Sequence, residues 1–174
     1  MNIVMKAIFI ILVLVLTNVF SIPAIAQETK FLGEFGNWEA FKEFSEGKTV
    51  CYMGAQPTKS LGKYKKRDDT YVLVTHRPAE KSFGVISVHA GYDFLKGSEA
   101  TITINTNIFS FFTDAGHAFS YDKKNDISLI QAMISGAYMI IKGISSRGTK
   151  TTDTYSLRGV SAAWKAINIA CKKK

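Results

Sequence analysis

Apolar and polar residues alternate in short runs along most of this chain, and the runs are punctuated by glycine, asparagine and aspartate. Side chains on a β-strand point to opposite faces with a period of two, so the pattern predicts strands with one buried and one wet face. The cleanest run is Ala100–Asn105, where Ile102 and Ile104 point one way and Thr101 and Thr103 the other. Trp38–Phe44, Val50–Met53, Tyr71–His76, Phe83–Ala90, Ile108–Phe112 and Ala118–Tyr121 read the same way, with Asp114-Ala115-Gly116 as a turn before the last of these. Tyr138–Ile144 and Thr154–Leu157 complete the set. Gly54–Asp69 and Ser145–Thr152 are polar and turn-rich, and are expected to be exposed loops.

In two places the period changes to that of a helix. Leu129, Ile130, Met133 and Ile134 recur at helical spacing between Asp126, a candidate N-cap, and Gly136, a natural C-terminal stop. Near the end, Val160, Ala163, Trp164, Ile167 and Cys171 form one apolar stripe. The expected architecture is therefore mainly β. It is a β-sandwich or jelly-roll-like domain with one short internal helix and a C-terminal helix lying across it.

The amino terminus adds a compartment. Lys6 precedes the unbroken apolar run Ala7–Leu16, and Ser21-Ile22-Pro23-Ala24-Ile25-Ala26 ends in small residues before the polar Gln27. This is the layout of a secretory signal, with cleavage expected between Ala26 and Gln27 and a single domain over 27–174. Thr17, Asn18, Ser21 and Pro23 argue against an uncleaved anchor, and no later run is long enough to span a bilayer. The expected location is the periplasm or the outer surface.

Export gives meaning to the cysteines. Cys51 and Cys171 are the only two in the chain, and an even, minimal count in an exported protein argues for one disulfide. Two free thiols or a metal pair are the alternatives, although no histidine sits at ligand spacing beside either cysteine. A bridge would staple the last helix to an early strand.

Charge narrows the partners. The chain has 22 Lys and Arg against 14 Asp and Glu, a formal net charge of +8. Lys59, Lys63, Lys65, Lys66 and Arg67 fall close together in the first expected loop. Such a cluster is a candidate contact for an anionic lipid or glycan surface, and its bland reading is a solvated loop. Nucleic acid is set aside because the chain is exported.

Sequence signals for catalysis are weak. Gly143-Ile144-Ser145-Ser146-Arg147-Gly148-Thr149-Lys150-Thr151 imitates a phosphate-binding loop, but Thr149 separates the second glycine from Lys150 and no helix follows. His76, His89 and His117 are too far apart in sequence for a metal motif, so no cofactor or metal is expected. Asp153 and Ser156, with a distant histidine, could supply a hydrolase, although no nucleophile-elbow pattern surrounds Ser156. Phe109, Phe111, Phe112 and Phe119 are either core or an exposed patch for a protein partner.

The carboxy-terminal block Ser146-Arg147-Gly148-Thr149-x-Thr151-x-Asp153-Thr154-Tyr155-Ser156-Leu157-x-Gly159, followed by Ser161-Ala162-Ala163 and Cys171, resembles the invasion-associated locus B family of small exported alphaproteobacterial proteins. The resemblance reaches back through Trp38, Cys51, Gly97-Ser98 and Gly136. It implies a periplasmic or outer-surface protein, linked in pathogenic members to host-cell invasion, and it brings no catalytic residues. The expected function is non-enzymatic binding of an envelope or host protein, or of an anionic surface. The other readings are the hydrolase and a structural envelope-stress protein with no specific ligand.

Overall fold

Alternation is what builds the sheet. In β7 (Glu99–Ile104), β10 (Tyr138–Ile144) and β11 (Lys150–Ser156), and from Cys51 onward in β3 (Lys48–Ala55), every second residue is buried, in the computed structural model that describes residues 28–172. The remaining strands are β1 (Glu28–Phe35), β2 (Trp38–Ser45), β4 (Lys59–Gly62), β5 (Tyr71–Arg77), β6 (Ser82–His89), β8 (Asn107–Asp114) and β9 (His117–Ser120). All pairings are antiparallel, and one unbroken ladder runs β1-β2-β3-β5-β6-β9-β8-β7-β10-β11-β4.

This single sheet folds over on itself. Met53, Val74 and Ile86 from its first half share one buried cluster with Ile102, Phe111, Met139 and Tyr155 from its second. The two ends of the ladder also meet: Trp38 Nε1 on β2 donates to the Ser156 carbonyl on β11 at 2.9 Å. The expected mainly β, sandwich-like body is thus made by bending one sheet. Antiparallel strands allow this because only one face of each needs to be apolar.

Two helices cover the fold. Helix α1 (Lys123–Ser135) starts one turn earlier than its apolar spacing suggests, because Asp122 is the N-cap and its carboxylate accepts from Asn125 N at 2.8 Å. Lys123 and Lys124 in the first turn oppose the helix dipole and hide that start in the sequence. Asp126 is instead inside the helix and buried, with Oδ1 accepting from Ile86 N on β6 at 3.1 Å.

Helix α2 (Val160–Ala170) packs on β1, β2 and β3 through Val160, Ala163 and Ile167, with Trp164 half-buried. Its stripe continues to Cys171, which is bonded to Cys51 of β3 across a sequence separation of 120. Gly159, at φ +100°, lets the chain enter this helix. A side chain there would collide with the carbonyl of Phe35.

The structure changes three other sequence expectations. The Gly54–Asp69 segment is not all loop, since its four-residue β4 pairs with β11 at the edge of the sheet. Strand β11 begins at Lys150, because Thr151 and Asp153 are its buried positions and carry no apolar signal. Strand β1 precedes the first expected strand. The four phenylalanines divide by alternation: Phe111 is core, while Phe112 lies tilted against Phe119 at the surface, 5.7 Å between ring centres. The expected signal segment and its Ala26–Gln27 cut lie outside the described residues.

Candidate functional site

The basic segment after β4 does not behave as five equivalent cations. Lys63, Lys65 and Lys66 are exposed, and so is Lys59 on β4, but Arg67 turns inward. Its side chain and that of Asp153 on β11 are each only 5% exposed. The guanidinium makes a two-pronged pair with Asp153, Nη1 to Oδ1 and Nη2 to Oδ2, both at 2.7 Å. Nε donates to the Ala90 carbonyl at 2.6 Å, and Nη2 to Thr70 Oγ1 at 3.3 Å. Tyr92 places its ring 4.9 Å from the guanidinium carbon. Burial alone would lower the guanidinium's pKa, but the hydrogen bonds and charge of Asp153 outweigh it and hold the pKa above its ordinary value. Arg67 is therefore a correction to the surface-contact set: it is an anchor for the loop, not a free surface charge.

Neighbouring groups tie the anchor down. Thr70 Oγ1 donates to the His89 carbonyl at 2.7 Å, and the Tyr92 hydroxyl bonds Thr151 Oγ1 at 2.6 Å. Burial pushes the Tyr92 phenol up, so it stays protonated.

Above this anchor lies a cleft of about 600 Å³ formed by three segments. They are residues 63–68, residues 91–93, and the turn between β10 and β11 at 145–149. The turn contributes Arg147, which joins Lys63, Lys65 and Lys66 as the fourth exposed cation lining the cleft, Lys59 not being among its lining residues; within the sequence it sat in a failed nucleotide motif. Nothing local signals its role, because only the β10–β11 hairpin carries it to the lysines. Asp68 and Asp93 also line the cleft.

The residues of the hydrolase reading are not brought together. Asp153 is engaged by Arg67, whereas Ser156 lies three residues on, on the opposite face of β11. Ser156 Oγ accepts from Arg158 N at 3.3 Å. His76 is buried against Trp164 and Phe83, with Nε2 2.8 Å from Asn168 Oδ1 and Nδ1 accepting from Gly84 N. His89 and His117 face each other on β6 and β9, Nδ1 to Nε2 at 3.2 Å, beneath a stacked Tyr71 ring. One ring nitrogen must donate and the other accept. Burial, then the positive charges of His117 and Arg67, hold His89 below its ordinary pKa against the opposing pull of Asp68 and Asp69. Among the described residues no group of three or more His, Cys, Asp or Glu is placed to hold a metal, and no helix is long and apolar enough to cross a membrane.

Fold and site together define a class: small disulfide-tied proteins built on one folded-over antiparallel sheet, with a basic cleft at one end of the ladder. The family model for the Invasion associated locus B (IalB) protein matches residues 38–168, and the chain belongs to that family. A solved relative is invasion associated protein B from Bartonella henselae, similar at a TM-score of 0.52 and 18% identity over 85% of this chain and 97% of that one. That likeness shows a shared fold. No curated protein matches the chain.

Proposed function

We propose that the protein is a non-enzymatic binding protein of the cell envelope or cell surface, exported by its amino-terminal signal, and that its basic cleft engages an anionic lipid or glycan surface. The single observation that carries this is the gathering of Lys63, Lys65, Lys66 and Arg147 around one cleft, while the adjacent Arg67 is locked below it. Lysines on a loop held from beneath present their charge at a fixed place, which favours steering and contact over diffuse solvation. Membership of a family named for invasion, together with an internal disulfide, supports an extracytoplasmic role at a host or envelope surface.

The test is co-sedimentation with vesicles containing phosphatidylglycerol. Lys63→Glu/Lys65→Glu/Lys66→Glu should abolish binding, and the salt dependence of the unsubstituted protein should be steep. Binding unchanged by the three reversals would end this assignment. Cell fractionation, with mass measurement of the amino terminus, checks export and the cut after Ala26.

A further inference from the structure

The cleft differs from a simple basic patch in three ways. First, it is concave, and its volume of about 600 Å³ is in the range that encloses a discrete small ligand; a flat membrane needs no such recess. Second, its walls are held. Asp68 N donates to the Gly91 carbonyl at 3.1 Å and Ser146 N to the Asp93 carbonyl at 2.7 Å, so the 91–93 segment ties the loop to the turn. Gly91, at φ +69°, allows this approach, since a Cβ there would collide with the carbonyl of Asp68. A site assembled in advance loses little ordering entropy when it fills.

Third, the lining has both signs of charge. Lys63, Lys65, Lys66 and Arg147 are exposed cations, whereas Asp68 and Asp93 are exposed carboxylates beside the 91–93 wall. A bare anion would be attracted by the first group and repelled by the second. Carboxylates are acceptors, and what suits them in a neutral ligand is a hydroxyl donor. Tyr64, 38% exposed at the same cleft and with the Arg67 guanidinium carbon 5.7 Å from its ring centre, adds an aromatic ring beside the cations.

We propose that the cleft binds a phosphorylated sugar, with the phosphate held by Arg147 and the lysines, the sugar hydroxyls donating to Asp68 and Asp93, and a C–H face of the ring lying on Tyr64. This deepens the surface-binding reading and rests on it. The same chemistry occurs in a free glycosyl phosphate and in the headgroup of a phosphorylated glycolipid.

Calorimetric titration of the disulfide-intact protein with glucose 1-phosphate, inorganic phosphate and glucose tests the assignment. Glucose 1-phosphate should bind one saturable site about tenfold or more tightly than inorganic phosphate at equal ionic strength, as expected for added hydrogen bonds to charged groups. Arg147→Gln should weaken that binding about tenfold. Asp93→Asn should weaken glucose 1-phosphate but strengthen inorganic phosphate. Both positions are exposed, and thermal melts of the two variants verify that each is folded.

Vesicles carrying lipid A, with and without its phosphates, separate the two sources. Preferential binding to the phosphorylated form, displaced by glucose 1-phosphate, assigns the site to a lipid headgroup; tighter binding of the soluble sugar assigns it to a free one. Equal affinity for phosphate and glucose 1-phosphate overturns the proposal. So does the absence of a saturable sugar site while phosphatidylglycerol vesicles still bind, a result that would leave the surface-binding reading standing. Loss of vesicle binding as well would remove both.

Discussion

Removing Arg67 is the sharpest perturbation the structure offers. Arg67→Met keeps much of the side-chain volume but leaves the Asp153 carboxylate 5% exposed with no cation, and the Ala90 carbonyl without its Nε donor. Breaking a buried ion pair by deleting one partner costs about 3–5 kcal/mol, against about 5–15 kcal/mol for the whole stability of a small domain. A surface pair would cost no more than about 1 kcal/mol. The two cases are thus well separated.

The double variant Arg67→Met/Asp153→Leu removes both charges together. It should recover most of the loss, because two apolar side chains replace a pair whose attraction is largely offset by its desolvation. Urea unfolding followed by the fluorescence of buried Trp38 and half-buried Trp164 gives all three free energies by linear extrapolation. The binding assay adds a second readout, since the Arg67→Met loop no longer holds Lys63, Lys65 and Lys66 in place. A loss below about 1 kcal/mol for Arg67→Met, or a double variant as unstable as the single, would refute the claim that this pair anchors the cleft.

Three further outcomes are expected. Cys51→Ala/Cys171→Ala opens a loop of 120 residues, for which chain entropy alone gives a loss of about 5 kcal/mol; unfolding in urea should show most of it, with α2 the first element to lose hydrogen-exchange protection. Burial raises the Asp126 carboxyl to about 6, so its neutral form favours the fold; that contribution is full below the ordinary carboxylate pKa and is lost as pH rises through about 6. Asp126→Asn should therefore remove a fall in stability of no more than about 3 kcal/mol, read from a series of melts between pH 4 and pH 7. His89 acts in the opposite direction: its pKa is depressed, so its contribution is present above about 6.5 and lost as pH falls through the folded value. His89→Gln in the Asp126→Asn background should flatten the acid side of the same curve; an unchanged acid limb would show that the His89–His117 contact carries no such linkage.

Period-two alternation in Ala100–Asn105 and Tyr138–Ile144, and the stripe from Val160 to Cys171, already determine strands, a helix and their buried faces, because side-chain direction follows backbone period whatever lies opposite. The count of two cysteines foretold their pairing by the same kind of local logic. β1 and β4 could not be read: a register shift between Phe31 and Gly33 breaks the period of β1, and the four residues of edge strand β4 bury too little to leave an alternation. The charge of the 59–67 segment was legible, but its division was not: Lys63, Lys65 and Lys66 face water while Arg67 is buried, and only a carboxylate 86 residues away decides that. Arg147 entered the cleft in the same way, through a hairpin that ends beside a loop remote in sequence. Local pattern is set by neighbours along the chain, whereas a charged side chain takes its role from partners that only the folded sheet brings within reach.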